Sequence, residues 1–324
     1  MTRPDIPGLD AAVAVIRSAG RITVACHVNP DGDALGSLFG ATLGLRKMGK
    51  EAVPTWAATP PEVPPGYTFL PGVSLLVHPD ELPQADLFLA LDCGAASRLG
   101  ELEDAAEAAG VSVNIDHHPG NDGFATHNVV VTTASSTAEL VAYLLADLGI
   151  EMDHDIATCL YTGIVTDTGN FQYTNARPAT LRLAADLLEY DVDKEHIAQQ
   201  VYQTAPFGLL ALMGRVLGRA KLFETERFVY SIVTHDDLRA TGVVMEETDK
   251  LIDVLRSTRD ADVVAIFKEQ GDGGYRVSMR SKAPVSVGAI ARERGGGGHD
   301  LAAGFETTDI DATVAGIVDE LGRG

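Results

Sequence analysis

Short apolar, β-branched runs alternate with helical patterns through the first half of this chain, and that alternation restricts the fold more than any other feature. The strand-like runs lie at 22–28, 75–77, 86–91, 111–115 and 128–131. Helical patterns occupy 34–48, 96–109 and 136–148, and each is followed at once by a glycine: Gly49, Gly110 and Gly149. A glycine just past a helix accepts the left-handed conformation that ends it. Strands alternating with helices predict an α/β fold whose mainly parallel sheet is flanked by helices. Ligands collect at the carboxyl ends of the strands in such sheets. His27, Asp92 and Asp116 fall at those ends.

From about 155 to 221 the pattern turns helical, with apolar helices expected at 179–188 and 209–220. A smaller α/β domain follows. Its expected strands are 227–233, 263–268 and 275–281, the last two joined by a hairpin turn at Gly271-Asp272-Gly273-Gly274. A chain of 324 residues has room for two cores. The expected division is a first domain at 1–190, a helical linker at 191–214 and a second domain at 215–324.

The net charge of −21 narrows the partners. A chain that tracks along duplex nucleic acid normally presents a basic face, so a long polyanion is excluded as the expected partner. A small anion held through metal ions is compatible with that charge. There is no apolar run of about 18 residues and no secretory start, which predicts neither a membrane partner nor export. Cys26, Cys93 and Cys159 have no disulfide or CxxC spacing. They read as small buried residues of a cytoplasmic protein.

Chemistry concentrates first in His27-Val28-Asn29-Pro30-Asp31-Gly32-Asp33, where the 22–28 run meets the next helix. Pro30 biases Asn29 away from the helical region and Gly32 tolerates turns. The segment therefore reads as a shaped loop that presents an imidazole and carboxylates to a metal. Asp92 follows Leu87-Phe88-Leu89-Ala90-Leu91, where an uncompensated charge would be expensive. Asp116-His117-His118 and Asp167 also close apolar runs. Any one of these acids alone fits a helix cap or a turn; four such features in one half weigh for a shared site. Imidazole and carboxylate together suit manganese, iron or zinc. Competing motifs fail. A calcium loop read from Asn29 would place Ala34 and Gly40 where glycine and glutamate belong. Gly295-Gly296-Gly297-Gly298-His299 lacks the Lys-Ser or Lys-Thr of a nucleotide-binding loop. That glycine run, with Arg294 before it and Arg280 ending the preceding strand, reads instead as a concave anion-binding loop.

Taken together, His27-x-Asn-Pro-Asp31-Gly-Asp33-Ala-Leu-Gly-Ser, Asp92, Asp116-His117-His118, Thr166-Asp167-Thr168-Gly169-Asn170-Phe171 and the terminal glycine-His run resemble the DHH phosphoesterase family with its DHHA1 domain. The size and two-domain layout are most similar to the NrnA-type branch of oligoribonucleases, phosphoadenosine phosphatases and cyclic-di-AMP or pApA phosphodiesterases. The resemblance implies a DHH catalytic domain, a DHHA1 substrate-binding domain and an active site in the cleft between them. It implies two divalent ions, manganese first: one on His27, Asp31 and Asp92, the other on Asp33, Asp92, His117 and Asp167. Asp92 would bridge, Asp116 would orient a ligand histidine, and His118 would face the scissile phosphate. Arg280, Ser281, Gly296, Gly297, Gly298 and His299 would hold the nucleotide. Implied substrates are short oligoribonucleotides, dinucleotides or a nucleoside bisphosphate, and a homodimer is compatible. The rival readings are a pyrophosphatase-like hydrolase of small phosphates and a nucleotide-binding regulator without turnover.

Overall fold

The computed structural model describes residues 5–58, 60–271, 273–282 and 284–323, leaving aside the side chains of Glu246 and His299. Asp272 of the expected hairpin turn lies outside the described residues. The chain divides into two units, Met1–Thr204 and Ala205–Gly324.

The first unit begins with α1 (Leu9–Ser18), β1 (Arg21–Cys26), α2 (Gly32–Lys47), β2 (Glu51–Thr55) and β3 (Leu87–Leu91). It continues with α3 (Glu103–Ala108), β4 (Ser112–Asp116), β5 (His127–Val130), α4 (Thr137–Leu148) and α5 (His154–Asp167). Two further helices, α6 (Pro178–Leu188) and α7 (Lys194–Tyr202), complete it. The five strands run parallel in the order β2-β1-β3-β4-β5. Alternation along β3 shows why both faces are covered. Leu87, Leu89 and Leu91 enter the main core with α1, α2, α4 and α5, while Phe88 and Ala90 face Leu99, Leu102 and Ala106 on the other side. The chain leaves β1 for β2 on one side, and β3 lies on the other. The strand order thus reverses between β1 and β3, which opens a crevice at their carboxyl ends.

Two expectations need correcting. Residues 75–77 are not a strand: Val73–Leu75 is a short 3-10 turn, and the edge strand is β2. Pro54 inside β2 disguised it, since proline cannot donate to a ladder and is confined to edges. Val77 still donates to the Pro54 carbonyl at 3.1 Å. The expected helix at 96–109 is broken. Gly100 takes φ 58° and kinks the 3-10 stretch Ala96–Leu102 from within, so that the α-helix proper, α3, begins only at Glu103.

One packing device was not anticipated. Gly32, Gly36, Gly40 and Gly44 recur every fourth residue along α2. A β-carbon at Gly36 would lie 2.5 Å from the Cys159 carbonyl oxygen and 2.8 Å from the Gly163 nitrogen; one at Gly32 would overlap Thr166. The backbones of α2 and α5 therefore pack almost directly on one another.

The second unit contains α8 (Phe207–Gly218), β6 (Lys221–Phe223), β7 (Phe228–Val233), α9 (His235–Thr241), α10 (Leu251–Arg256) and β8 (Val263–Glu269). After these come β9 (Tyr275–Ser281), α11 (Val287–Arg292), β10 (Gly297–His299), β11 (Ala302–Thr307) and α12 (Ile310–Gly322). Its sheet runs β10-β11-β9-β8-β7-β6, with only β7 and β8 parallel among the described strands. One face packs on α11 and α12, the other on α8 and α10. The segment expected as a linker is divided. Ile197 and Val201 of α7 join the core of the first unit, while Leu209, Leu212 and Val216 of α8 join that of the second.

Candidate metal centre

The loop from β1 to α2 supplies His27, Asp31 and Asp33. Asp31 caps α2: its Oδ1 accepts from the backbone nitrogens of Asp33 and Ala34 at 3.0 and 3.1 Å. The cap is thus Asp31, and Asp33 in the first turn is free to point inward. Its carboxylate is fully buried and receives the N-terminus of α4, from Thr137 N at 2.7 Å and Ala138 N at 2.9 Å. Gly163 of α5 lets Asp33 approach that helix. His27 places Nδ1 2.8 Å from the Val28 carbonyl. A carbonyl only accepts, so Nδ1 carries the hydrogen and Nε2 is left as a lone-pair donor.

Asp92 follows β3 with φ 62°, a conformation that a non-glycine residue adopts at a cost of about 1–3 kcal/mol. Its two oxygens serve different neighbours. Oδ2 lies 3.5 Å from His27 Nε2. Oδ1 lies 3.6 Å from His117 Nε2 and accepts from the Thr137 hydroxyl at 2.8 Å. Burial alone would raise this carboxyl, but His27, His117 and His118 together outweigh it and its pKa is lowered. At Asp33, burial first and then Asp92, Asp167 and Asp31 push the pKa well up. Asp167 is pushed up to about 6, chiefly by burial. A cluster that forces protons onto its own acids is one that needs a cation.

His117 Nε2 gives the clearest test of fit. It is buried and has no hydrogen-bond partner among the described residues. Around it stand Asp92 Oδ1 at 3.6 Å, Asp167 Oδ2 at 3.7 Å and Asp33 Oδ2 at 3.8 Å. Those spacings are too long for hydrogen bonds. Two ligands each ~2.1 Å from one ion would stand roughly 3.0–3.4 Å apart, close to what is found. Three groups have ligand atoms within 4.8 Å of one another: His27-Asp31-Asp92, Asp33-His117-Asp167 and Asp92-His117-His118. All six expected residues are brought together, and their carboxylates and imidazoles fit divalent metal ions. Four aspartates would balance two such ions.

Asp116 behaves differently from expectation. Its Oδ1 meets His118 Nδ1 at 2.8 Å, not the ligand histidine His117. Residues two apart at a strand end share a face, so Asp116 and His118 side chains meet while His117 turns to the cluster. His118 is half-exposed, and Asp116 first, then burial against it, set its pKa at about 9.

Residues 21–164 match the model of the DHH family N-terminal domain, and 226–321 match that of the DHHA1 domain. The bifunctional oligoribonuclease and PAP phosphatase NrnA of Thermus thermophilus is 36% identical, over 90% of this chain and 86% of its own. Its Bacillus subtilis counterpart is 31% identical over 86% of both. This chain belongs to the DHH family. Among solved structures, an exopolyphosphatase-related protein from Bacteroides fragilis aligns with TM-score 0.89 at 26% identity, over 98% of this chain and 95% of that one. RecJ in complex with Mn2+ from Thermus thermophilus shares the fold at TM-score 0.58 and 18% identity, over 99% of this chain and 55% of that chain.

In the DHHA1 domain the glycine run is not a free loop. Gly297–His299 forms β10 and pairs antiparallel with β11. Gly296 and Gly298 are glycines for a packing reason, since a β-carbon would run into Phe305 in the first case and the Ala302 carbonyl in the second. The register sets His299 opposite Ala302, and Ala302 opposite Arg280, so the three share one row of the sheet. The His299 side chain lies outside the described residues. Ser281 is fully buried.

Three residues that support the cluster escaped the sequence reading. Thr137 holds Asp33 and Asp92, as above. Asn121 donates to Asp116 Oδ2 at 2.6 Å, and Asn175 to Asp167 Oδ2 at 3.2 Å. A signal existed for Thr137 alone: Ser136-Thr137-Ala138-Glu139 has the spacing of a helix start, and Ser136 does cap α4.

Proposed function

We propose that this protein is a two-metal phosphoesterase that hydrolyses short nucleotides, such as nanoRNA, pApA, cyclic-di-AMP or 3'-phosphoadenosine 5'-phosphate, to mononucleotides. The observation that carries the reading is the orphaned His117 Nε2 among three carboxylates, beside a second ligand group that shares Asp92. His27, Asp31 and Asp92 would hold one ion, and Asp33, Asp92, His117 and Asp167 the other; manganese suits this donor set. Bound there, the ions would lower the pKa of a water and offset charge on the phosphoryl oxygens. His118, which Asp116 holds through Nδ1, would donate to a phosphoryl oxygen or protonate the leaving oxygen. Asp33 and Asp92 are fixed before substrate arrives by Thr137 and Ala138, so little reorganisation is required of them. Arg280, Gly296, Gly297, Gly298 and His299 remain the proposed nucleotide contacts of the DHHA1 domain, while Ser281, fully buried, offers no surface to a ligand. Two relatives, the bifunctional oligoribonuclease and PAP phosphatase NrnA of Thermus thermophilus and that of Bacillus subtilis, support this substrate class.

The test is a panel. Metal-stripped protein, with and without added Mn2+, is assayed on pApA, a short oligoribonucleotide, 3'-phosphoadenosine 5'-phosphate and pyrophosphate. Manganese-dependent release of AMP or other mononucleotides is expected. Turnover of pyrophosphate alone would overturn the reading, as would tight nucleotide binding without product.

A further inference from the structure

The mouth of the metal cluster is made by its least buried members. Asp31 is exposed, and Asp167 and His118 are half-buried. Just past Asp167 the chain makes an unusual turn. Gly169, Asn170 and Phe171 all have positive φ, at 55°, 58° and 63°. For a side chain as large as Phe171 that conformation is strained and must be imposed by its surroundings. Asn170 N donates to the Val165 carbonyl at 2.8 Å, and Gln172 N and Tyr173 N both donate to the Thr168 carbonyl at 3.0 Å. Phe171 is further held edge-on to Tyr161, with ring centres 6.3 Å apart.

The consequence of this turn is the position of Tyr173. A β-carbon at Gly169 would overlap the Tyr173 ring, with Cζ and the two Cε carbons as its nearest atoms. Contact centred on those carbons and not on the hydroxyl oxygen means that the glycine meets the face of the ring. Tyr173 is nonetheless 48% exposed. One side of the ring is thus backed by the chain, two residues from Asp167, and the rest is open. Tyr202, 43% exposed, is tied to the same helix end: its hydroxyl donates to the Val165 carbonyl at 3.2 Å on the last turn of α5, as Tyr173 N does to Thr168 just beyond it. Burial first, and Tyr173 and Tyr161 next, push the Tyr202 hydroxyl up to about 12, so these phenols share one neighbourhood.

We propose that Tyr173 and Tyr202 form a stacking shelf for the base of the nucleotide whose phosphate reaches the metal cluster. This rests on the proposed nucleotide hydrolysis and adds base recognition within the metal-binding unit itself. A rigidly backed aromatic face gives a phosphate or a pyrophosphate nothing to bind. It offers every nucleobase a stacking partner, with no demand on base identity. The shelf therefore selects nucleotides over other phosphoesters.

The experiment compares pApA with the matching dinucleotide that lacks both bases, in wild type, Tyr173→Leu and Tyr173→Phe. In Tyr173→Leu the ratio of kcat/KM for pApA over the abasic substrate should fall about tenfold or more, through KM. Tyr173→Phe should restore it. An unchanged ratio in Tyr173→Leu, with wild type active, would overturn the shelf and leave the hydrolytic function standing. Wild type inactive on every nucleotide would overturn both. A second measurement is independent of the Leu variant folding. The chain's one tryptophan, Trp56, is buried, so Tyr173→Trp adds an exposed reporter. AMP should quench it saturably and ribose 5-phosphate should not; equal quenching, or none, would contradict the shelf.

Discussion

Asp92 turns its two oxygens to different histidines, from a left-handed backbone conformation uncommon for any residue but glycine. Such a side chain must be held by its neighbours, and the Thr137 hydroxyl does this directly. Groups that orient metal ligands typically contribute 10–100-fold in metal affinity. Thr137→Val should accordingly weaken Mn2+ binding about 10–100-fold by calorimetry, while Thr137→Ser keeps it. The Asp116–His118 pair gives a pH prediction for metal-free protein. His118 titrates near 9 in the fold because of Asp116, against about 6.5 in an unfolded chain. A raised folded pKa means that this stabilisation is complete below about pH 6.5 and is lost as pH rises through about 9. Proton NMR of the His118 ring should report that midpoint, and Asp116→Asn should bring it back towards 6.5. The six candidate ligands could be picked out of the sequence because His27, Asp92, His117 and Asp167 close or follow apolar runs and Asp31 and Asp33 crowd into the short loop after one of them. The supporting roles of Thr137, Asn121 and Asn175 were not legible, although the helix start at Ser136-Thr137 was. Hydroxyls and amides are common, and the Thr137–Asp92 bond joins residues 45 apart, so only the fold reveals it.

Helix α2 carries two acids of the cluster region, Asp31 at its cap and Asp33 in its first turn, and its glycine stripe lets α5 deliver Asp167. Alanine is the better helix former by about 1 kcal/mol, so propensity alone says that Gly36→Ala should stabilise. The short distances to Cys159 and Gly163 say the opposite. Gly36→Ala should lose roughly 1–3 kcal/mol of stability through overpacking, measured by urea denaturation, and weaken metal binding as α2 and α5 are forced apart. A gain in stability would show that the close packing is not required. Elements were legible where patterning and punctuation agreed, as in α2 and α4 with their glycine stops. They failed where a local signal served another purpose. Pro54 hid an edge strand, Gly100 broke a helix from within, and the glycine run before His299 proved to be a strand packed under Phe305 and Ala302.

Sheet order explains why the candidate metal-binding residues converge at all. With β1 and β3 adjacent and parallel, and the chain departing in opposite directions from them, His27 and Asp92 are brought to one crevice. The alternation that announced an α/β fold also announced this edge, although which strands neighbour each other was beyond the pattern. Among the strands of the second unit only the longer ones were legible; β6, β10 and β11 are short or glycine- and alanine-rich and carry little periodicity. Among the described residues no helix is long and apolar enough to cross a membrane. If one bridged pair of ions performs the hydrolysis, metal content and turnover must fail together when the bridge is removed. The measurement is metal stoichiometry and AMP release from pApA on the same preparations of wild type and Asp92→Ala. Two manganese ions per chain with rapid release in wild type, and loss of both in the variant, is the predicted result. An Asp92→Ala protein that keeps its full metal complement and full hydrolysis would contradict it.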